Sequence, residues 1–169
     1  ELAIRAAKSH PDDPFEGLKQ VFETVAMAKA SASALDAKRL GLLRESDVVV
    51  FNADELLYVA KKVALSLAES GWRPPLYQRA IPVAGDVGRA TFQAQLANMQ
   101  AGYFASEHDV LIATHIADTL CGGNIERGSL VDEQWLLDLE RKYFVELARN
   151  EKTQARIDHT MKTGKPLRN

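Results

Sequence analysis

A single cysteine, Cys121, stands in 169 residues. No internal disulfide can staple this chain, so its stability must come from packing. That usage suits a reducing compartment, and a cytoplasmic protein is expected. Cys121 precedes Gly122-Gly123 with no activating motif around it, which reads as a buried thiol and not a nucleophile. Charge of one sign is missing too. Lys and Arg number 21 against 23 Asp and Glu, a formal net charge of -2, so no global field draws in nucleic acid or an anionic membrane. No apolar run approaches the ~18 residues that a membrane span needs, and no signal-peptide pattern is visible. Phosphate loops of the G-x-G-x-x-G or Gly-Lys-Ser type are absent, as are a G-x-S-x-G elbow and an HExxH pair. Gly85-Asp-Val-Gly88 comes nearest to a phosphate loop, but it lacks the spacing and a preceding strand, and reads as an ordinary loop. Strand-forming runs are nearly missing as well: Val48-Val-Val-Phe51 is the one candidate, and alone it would be an unpaired edge.

What is present is helical. Apolar residues make up 46% and charged residues 26%, an ordinary globular composition, and the length suits one region that buries roughly 70% of its unfolded surface. The organising stretch is Ser31 to Gly71. Ser33-Ala-Leu-Asp36 fits a capping box, and Gly41 can take the left-handed conformation that stops a helix. Asn52-Ala-Asp-Glu55 opens a longer helix in which Leu56, Val59, Ala60, Val63, Ala64 and Leu67 share a face before Gly71. Upstream, Glu1 to Lys8 reads as the end of a helix, and Asp13-Pro14-Phe15-Glu16 as a strong helix start. Trp72 to Val87, with Pro74, Pro75, Pro82 and Gly85, reads as a surface linker. Helices are then expected from Gly88 to Ala101, from a cap at Ser106-Glu-His-Asp109 to Gly122, from Asp132 or Ser129 to about Asn150, and from Thr153 to Thr163. The expectation is a mainly α chain, one helical region over 1–169 with six to seven helices and at most one short strand. The sequence opens at Glu1 without a methionine, and Val48–Phe51 has no partner strand; both suggest a segment of a longer chain.

Three constellations could carry chemistry. His108 and His115 share a helix face near Glu107 and Asp118, a metal reading if another helix added carboxylates; the plainer reading is one solvated and one packed imidazole. Asp132-Glu133 and Asp138 with Glu140, beside Arg141-Lys142, suggest acid–base work, but such clusters more often form a solvated helix face. The basic end, Lys152, Arg156, Lys162, Lys165 and Arg168, with Tyr143 and Phe144 upstream, could hold an anionic ligand with an aromatic base; the plain alternative is a cationic helix end complementing its dipole.

Several of these phrases carry a resemblance. Ser33-Ala34-x-x-Ala37-x-x-x-Gly41-Leu42, a short strand and an Ala- and Lys-rich helix resemble the crotonase family of enoyl-CoA hydratases and isomerases. So does Leu139-Glu-Arg-Lys-Tyr-Phe144 followed by a basic helix ending in Gly164-Lys-Pro-Leu167. More narrowly, Asp54-Glu-Leu-Leu-Tyr58-Val-Ala-Lys61, Gly71-Trp-Arg-Pro-Pro75, Ser129-Leu-Val-Asp-Glu-Gln-Trp135 and Lys152-Thr-Gln-Ala-Arg-Ile157 resemble one group. These are the multidomain 3-hydroxyacyl-CoA dehydrogenases of fatty acid β-oxidation that carry a crotonase-like domain. The resemblance covers essentially the whole chain, with a longer insert between Trp72 and Gly123 than ordinary crotonases have.

The resemblance implies the helical C-terminal region of a crotonase fold, used for subunit association. It places Phe144 at the aromatic position near the adenine end of coenzyme A, and Lys162 at the lysine position, one residue short in spacing, with Lys165 as the alternative. It implies a parent enzyme that uses NAD and acyl-CoA substrates, while the amides and acids that act on the thioester precede Glu1. No catalytic residue, metal or cofactor is therefore assigned to this segment itself. Its expected partners are the rest of its own enzyme and further copies through helices, with acyl-CoA as a ligand, and it should neither hydrate enoyl-CoA nor reduce NAD alone. The competing readings are a free-standing helical interaction module and a helical bundle with a metal at His108 and His115.

Overall fold

The computed structural model describes residues 1–169. Eight α-helices and one two-stranded sheet make up the chain: α1 (Leu2–Ser9), α2 (Pro14–Ala26), α3 (Ala34–Arg39), α4 (Leu56–Glu69), β1 (Ile81–Pro82), α5 (Gly85–Ala101), α6 (Glu107–Cys121), β2 (Leu130–Val131), α7 (Glu133–Ala148) and α8 (Glu151–Thr163). The fold is mainly helical, as expected, with one helix more than the sequence suggested. The chain divides into two compact units where the sequence suggested one region: residues 1–29 with 78–169, and residues 30–77.

The larger unit is built on a core in which α2, α5 and α6 meet. Leu18 and Phe22 of α2, Phe92 and Leu96 of α5, and Ala113, Ala117 and Cys121 of α6 are all buried there. A second cluster joins Ile4 and Ala7 of α1 to Ile81, Val83, Val131 and Leu136. Most helix starts follow from local chemistry. Asp13 accepts from the Phe15 amide with Pro14 in the first turn, Asp132 accepts from the Trp135 amide, and Asn150 from that of Lys152. Ser106 and Asp109 form a complete capping box, with the Ser106 hydroxyl on the Asp109 amide and the Asp109 carboxylate on the Ser106 amide.

The strand expected at Val48–Phe51 does not form. The sheet pairs β1 with β2 antiparallel, Ile81 opposite Val131 and Pro82 opposite Leu130. Pro82 lacks an amide, so this edge can support only a short ladder. The expected linker over 72–87 is correspondingly shorter. It runs irregularly to residue 80, after which Ile81, Val83 and Ala84 are buried at 3%, 2% and 1% exposure. Gly85-Asp-Val-Gly88 is not a loop but the first turn of α5, tied down by the Asp86 amide donating to the Ile125 carbonyl at 2.8 Å. Prolines at 74, 75 and 82 suggested a coil running through to Val87; burial of the apolar pair after Pro82 ends it early.

The smaller unit is held mostly by local bonds. Ser33 caps α3 through the Asp36 amide, while the Asp36 carboxylate takes the Ala32 amide and the Arg39 guanidinium. Lys38 reaches the Glu45 carbonyl at 2.7 Å, and Asp47 accepts from the Arg44 amide at 2.8 Å. Asn52 starts a 3₁₀ turn over Ala53–Glu55 that runs into α4. No residue of α4 is buried, although its sequence is strongly apolar. Leu56, Leu57 and Tyr58 are 54%, 83% and 63% exposed, and Phe51 just before them 90%. A 14-residue helix is marginal in water without tertiary packing.

Candidate functional site

The larger unit carries an apolar groove of about 670 Å³ between α1, α2, α6 and α7. Leu2 and Ile4 of α1, Val25 of α2, Ile116 and Leu120 of α6, and Leu136 and Leu147 of α7 form its walls. The spacing Ile116–Leu120 and the run Leu136, Tyr143, Leu147 are helical repeats, so one face of each helix turns toward the same space. Phe144 stands at the rim, 70% exposed.

A partly buried polar cluster adjoins the groove, with His115 and Tyr143 on the groove wall. Tyr143 donates its hydroxyl to Asp118 Oδ2 at 3.0 Å, and the Arg89 guanidinium Nε lies 3.7 Å from Asp118 Oδ1. Arg89 also reaches Asn124 at 3.1 Å. The His115 ring stacks on Tyr143, with centroids 4.5 Å apart and planes 19° apart. Its Nε2 lies 3.4 Å from Glu146 Oε1, an electrostatic contact without hydrogen-bond geometry. Trp135 donates its indole N–H to the Gly122 carbonyl at 2.9 Å, joining α7 to the end of α6.

These surroundings silence the groups that could otherwise attack a substrate. Burial, then the neighbouring Asp118 carboxylate, pushes the Cys121 thiol up to about 12. Burial likewise raises Tyr143 to about 12, helped by its hydrogen bond to Asp118. Both stay protonated at neutral pH, so Tyr143 is a hydrogen-bond donor and Cys121 a core residue. A thiol-specific disulfide reagent should leave Cys121 unmodified in the folded chain and titrate it only in denaturant. Stoichiometric labelling of the native chain within minutes would contradict this burial.

The structure separates the other sequence candidates. His108 is 3% exposed and not solvated as the plainer reading had it: the capping box of α6 leaves it under α8, where Nε2 meets the Thr153 hydroxyl at 2.9 Å. His115 is engaged elsewhere, on Tyr143, and no three His, Cys, Asp or Glu side chains converge as a metal site. Asp132 caps α7, while Asp138 bonds Gln134 and lies 3.7 Å from Arg141 on an exposed face. The basic end is likewise divided. Arg156 pairs with Asp109 at 2.7 Å, Lys162 with Asp158 at 2.7 Å, and Lys165 follows the helix stop at Gly164. Phe144 lines the groove; Lys162 and Lys165 do not. Arg89 and the role of Asp118 went unread in the sequence. Their pairing joins the successive helices α5 and α6 side by side, and no spacing within either helix signals it.

Comparison with known proteins gives one informative similarity. Over 157 residues the chain is 43% identical to a protein of Bacillus subtilis (strain 168) described as "Probable 3-hydroxyacyl-CoA dehydrogenase". The alignment takes in 93% of this chain but only 20% of that protein, so the chain spans about a fifth of the relative's length. No family model matches the chain, and no solved structure matches it.

Proposed function

We infer that this chain is the helical C-terminal segment of a crotonase-like domain within a multidomain 3-hydroxyacyl-CoA dehydrogenase of fatty acid β-oxidation. Its work there is association. The dehydrogenase parent is the part that the 43% identity along 93% of the chain supports, against a relative described as "Probable 3-hydroxyacyl-CoA dehydrogenase" of which the match takes in 20%. The uncovered apolar face of α4 supports it, because a helix with no buried residue needs a surface to pack on. The groove bounded by α1, α6 and α7 is a second such surface. In this reading the remainder of the enzyme covers both, further copies associate through the helices, and NAD and the thioester chemistry belong to the rest of the polypeptide. Phe144 and the lysines Lys162 and Lys165 flank the coenzyme A end of the substrate. Phe144 is exposed as such a role requires, and Lys162 is held only by an exposed ion pair of the kind that contributes little.

The test is a chimera in which this chain replaces the matching 157-residue stretch of the Bacillus relative. It should retain acyl-CoA turnover, whereas the purified chain alone should neither hydrate enoyl-CoA nor reduce NAD. Within the chimera, Leu57→Asp should cut activity several-fold through lost docking. In the isolated chain the same change, at an 83% exposed side chain, should move stability by no more than about 0.5 kcal/mol. An inactive but folded chimera, or clear turnover by the isolated chain, would overturn the reading.

A further inference from the structure

The side of α8 that meets the rest of its unit is polar. Thr153, Arg156 and His159 are its half-buried residues along that seam, no residue of the helix is fully buried, and Ile157 and Met161 face outward at 56% and 82% exposure. What holds the helix is a set of hydrogen bonds to the first turn of α6. Thr153 Oγ1 meets His108 Nε2 at 2.9 Å, and Arg156 donates to Asp109 Oδ1 at 2.7 Å. Asn169 closes the joint, accepting from Arg156 Nε at 2.8 Å and donating to the Lys152 carbonyl at 3.1 Å. At its centre lies the 3% exposed His108 imidazole. The charges acting on it are Lys152 and Arg156 of α8 and Asp109 of its own helix, and that carboxylate is already taken by Arg156, the Ser106 amide and the Ser106 hydroxyl.

We propose that the first turn of α6 and the whole of α8 form a proton-operated latch, closed while His108 is neutral and opened when His108 takes up a proton. A cation at this buried position faces two further cations and one committed carboxylate; lifting α8 removes both cations and admits water. This is independent of any acyl-CoA role.

The sign follows from the linkage. Burial first, then Arg156 and Lys152, holds the His108 pKa below its ordinary 6.5, with Asp109 opposing. The closed form therefore binds the proton less well than the open form. Closure is most stable above the ordinary histidine value of 6.5 and weakens as pH falls below it. Asp109 does not titrate in that window. Burial alone would raise it, but the Ser106 amide and the Arg156 guanidinium outweigh burial and hold it below 3.8.

Hydrogen exchange read by mass spectrometry on the 169-residue chain tests the latch, with rates corrected for intrinsic exchange. Between pH 7.5 and 5.5, protection across 153–163 should fall roughly threefold or more, while α5 stays protected. His108→Gln keeps an amide that can meet Thr153 and removes the titration, so it should abolish the step. In the unmodified chain, the NMR titration midpoint of the His108 ring should coincide with that of the α8 amides. Unchanged protection at pH 5.5, the same step in His108→Gln, or distinct midpoints would overturn it.

Discussion

Replacing Phe92 with alanine is expected to cost about 3–5 kcal/mol. Phe92 is 2% exposed at the meeting of α2, α5 and α6. Its ring stacks on Phe22 with centroids 4.1 Å apart and planes 25° apart, and tilts against Phe15 at 5.0 Å. The truncation would remove both ring contacts and leave a cavity bounded by rigid helix backbones, which cannot close up around it. At roughly 2–4 °C per kcal/mol for a chain of this size, the melting temperature should drop by about 6–20 °C in a calorimetric scan. A drop of under 2 °C would mean that the three helices do not pack as described.

The second large effect is expected at Gly85. Its φ is +60°, a region costly for any residue with a Cβ, and the added carbon would lie 2.4 Å from the Ile125 carbonyl oxygen and 2.6 Å from the Arg127 amide nitrogen. Both are backbone atoms of the strap that runs into β2, and neither can rotate aside. Strain and overpacking together put Gly85→Ala at roughly 2–4 kcal/mol. Gly128→Ala separates the two causes, because its φ is +84° but nothing lies within 4 Å of the added carbon. That variant should lose only about 1–2 kcal/mol. Equal losses in urea titrations of the two variants would refute the close approach at Gly85.

Gly85 also shows how a correct residue can be read for the wrong reason. In the sequence, Gly85 and Gly88 suggest a loop, because two glycines and nearby prolines are loop punctuation. In the fold they are the points where the first turn of α5 lies against other elements: Gly85 on residues 125–127, and Gly88 against Phe15, Ala84 and Cys121. A missing side chain serves a flexible loop and a tight contact equally well, and only the neighbours distinguish them.

The same limit explains the strand. Val48–Phe51 had the best local strand pattern, yet Phe51 is 90% exposed and the segment pairs with nothing in the structure. Ile81–Pro82 had a poor pattern, with a proline in it, and pairs with Leu130–Val131. Pairing depends on which backbone lies opposite, and those partners are some fifty residues apart. The candidate site divides along the same line. Cys121 in the core agrees with the expectation read from the absence of any activating motif around it. The Arg89–Asp118–Tyr143 layer, the His115 stack and the His108–Thr153 joint do not follow from spacing, because each joins different helices.

By itself, then, the amino-acid sequence determined that this chain is helical, where most of its helices begin, and that it has neither an internal disulfide nor an apolar run long enough for a membrane-spanning helix. Helix caps, apolar periodicity and composition act within a few residues of one another, so they are legible along the chain. Only the tertiary structure decided which short segments pair as strands, which glycines touch backbone, and which polar groups lie buried against one another. It also decided that the apolar face of α4 stays uncovered while α8 docks through polar groups. These are contacts between distant segments, fixed by shape and mutual burial, and no local stretch of sequence encodes them.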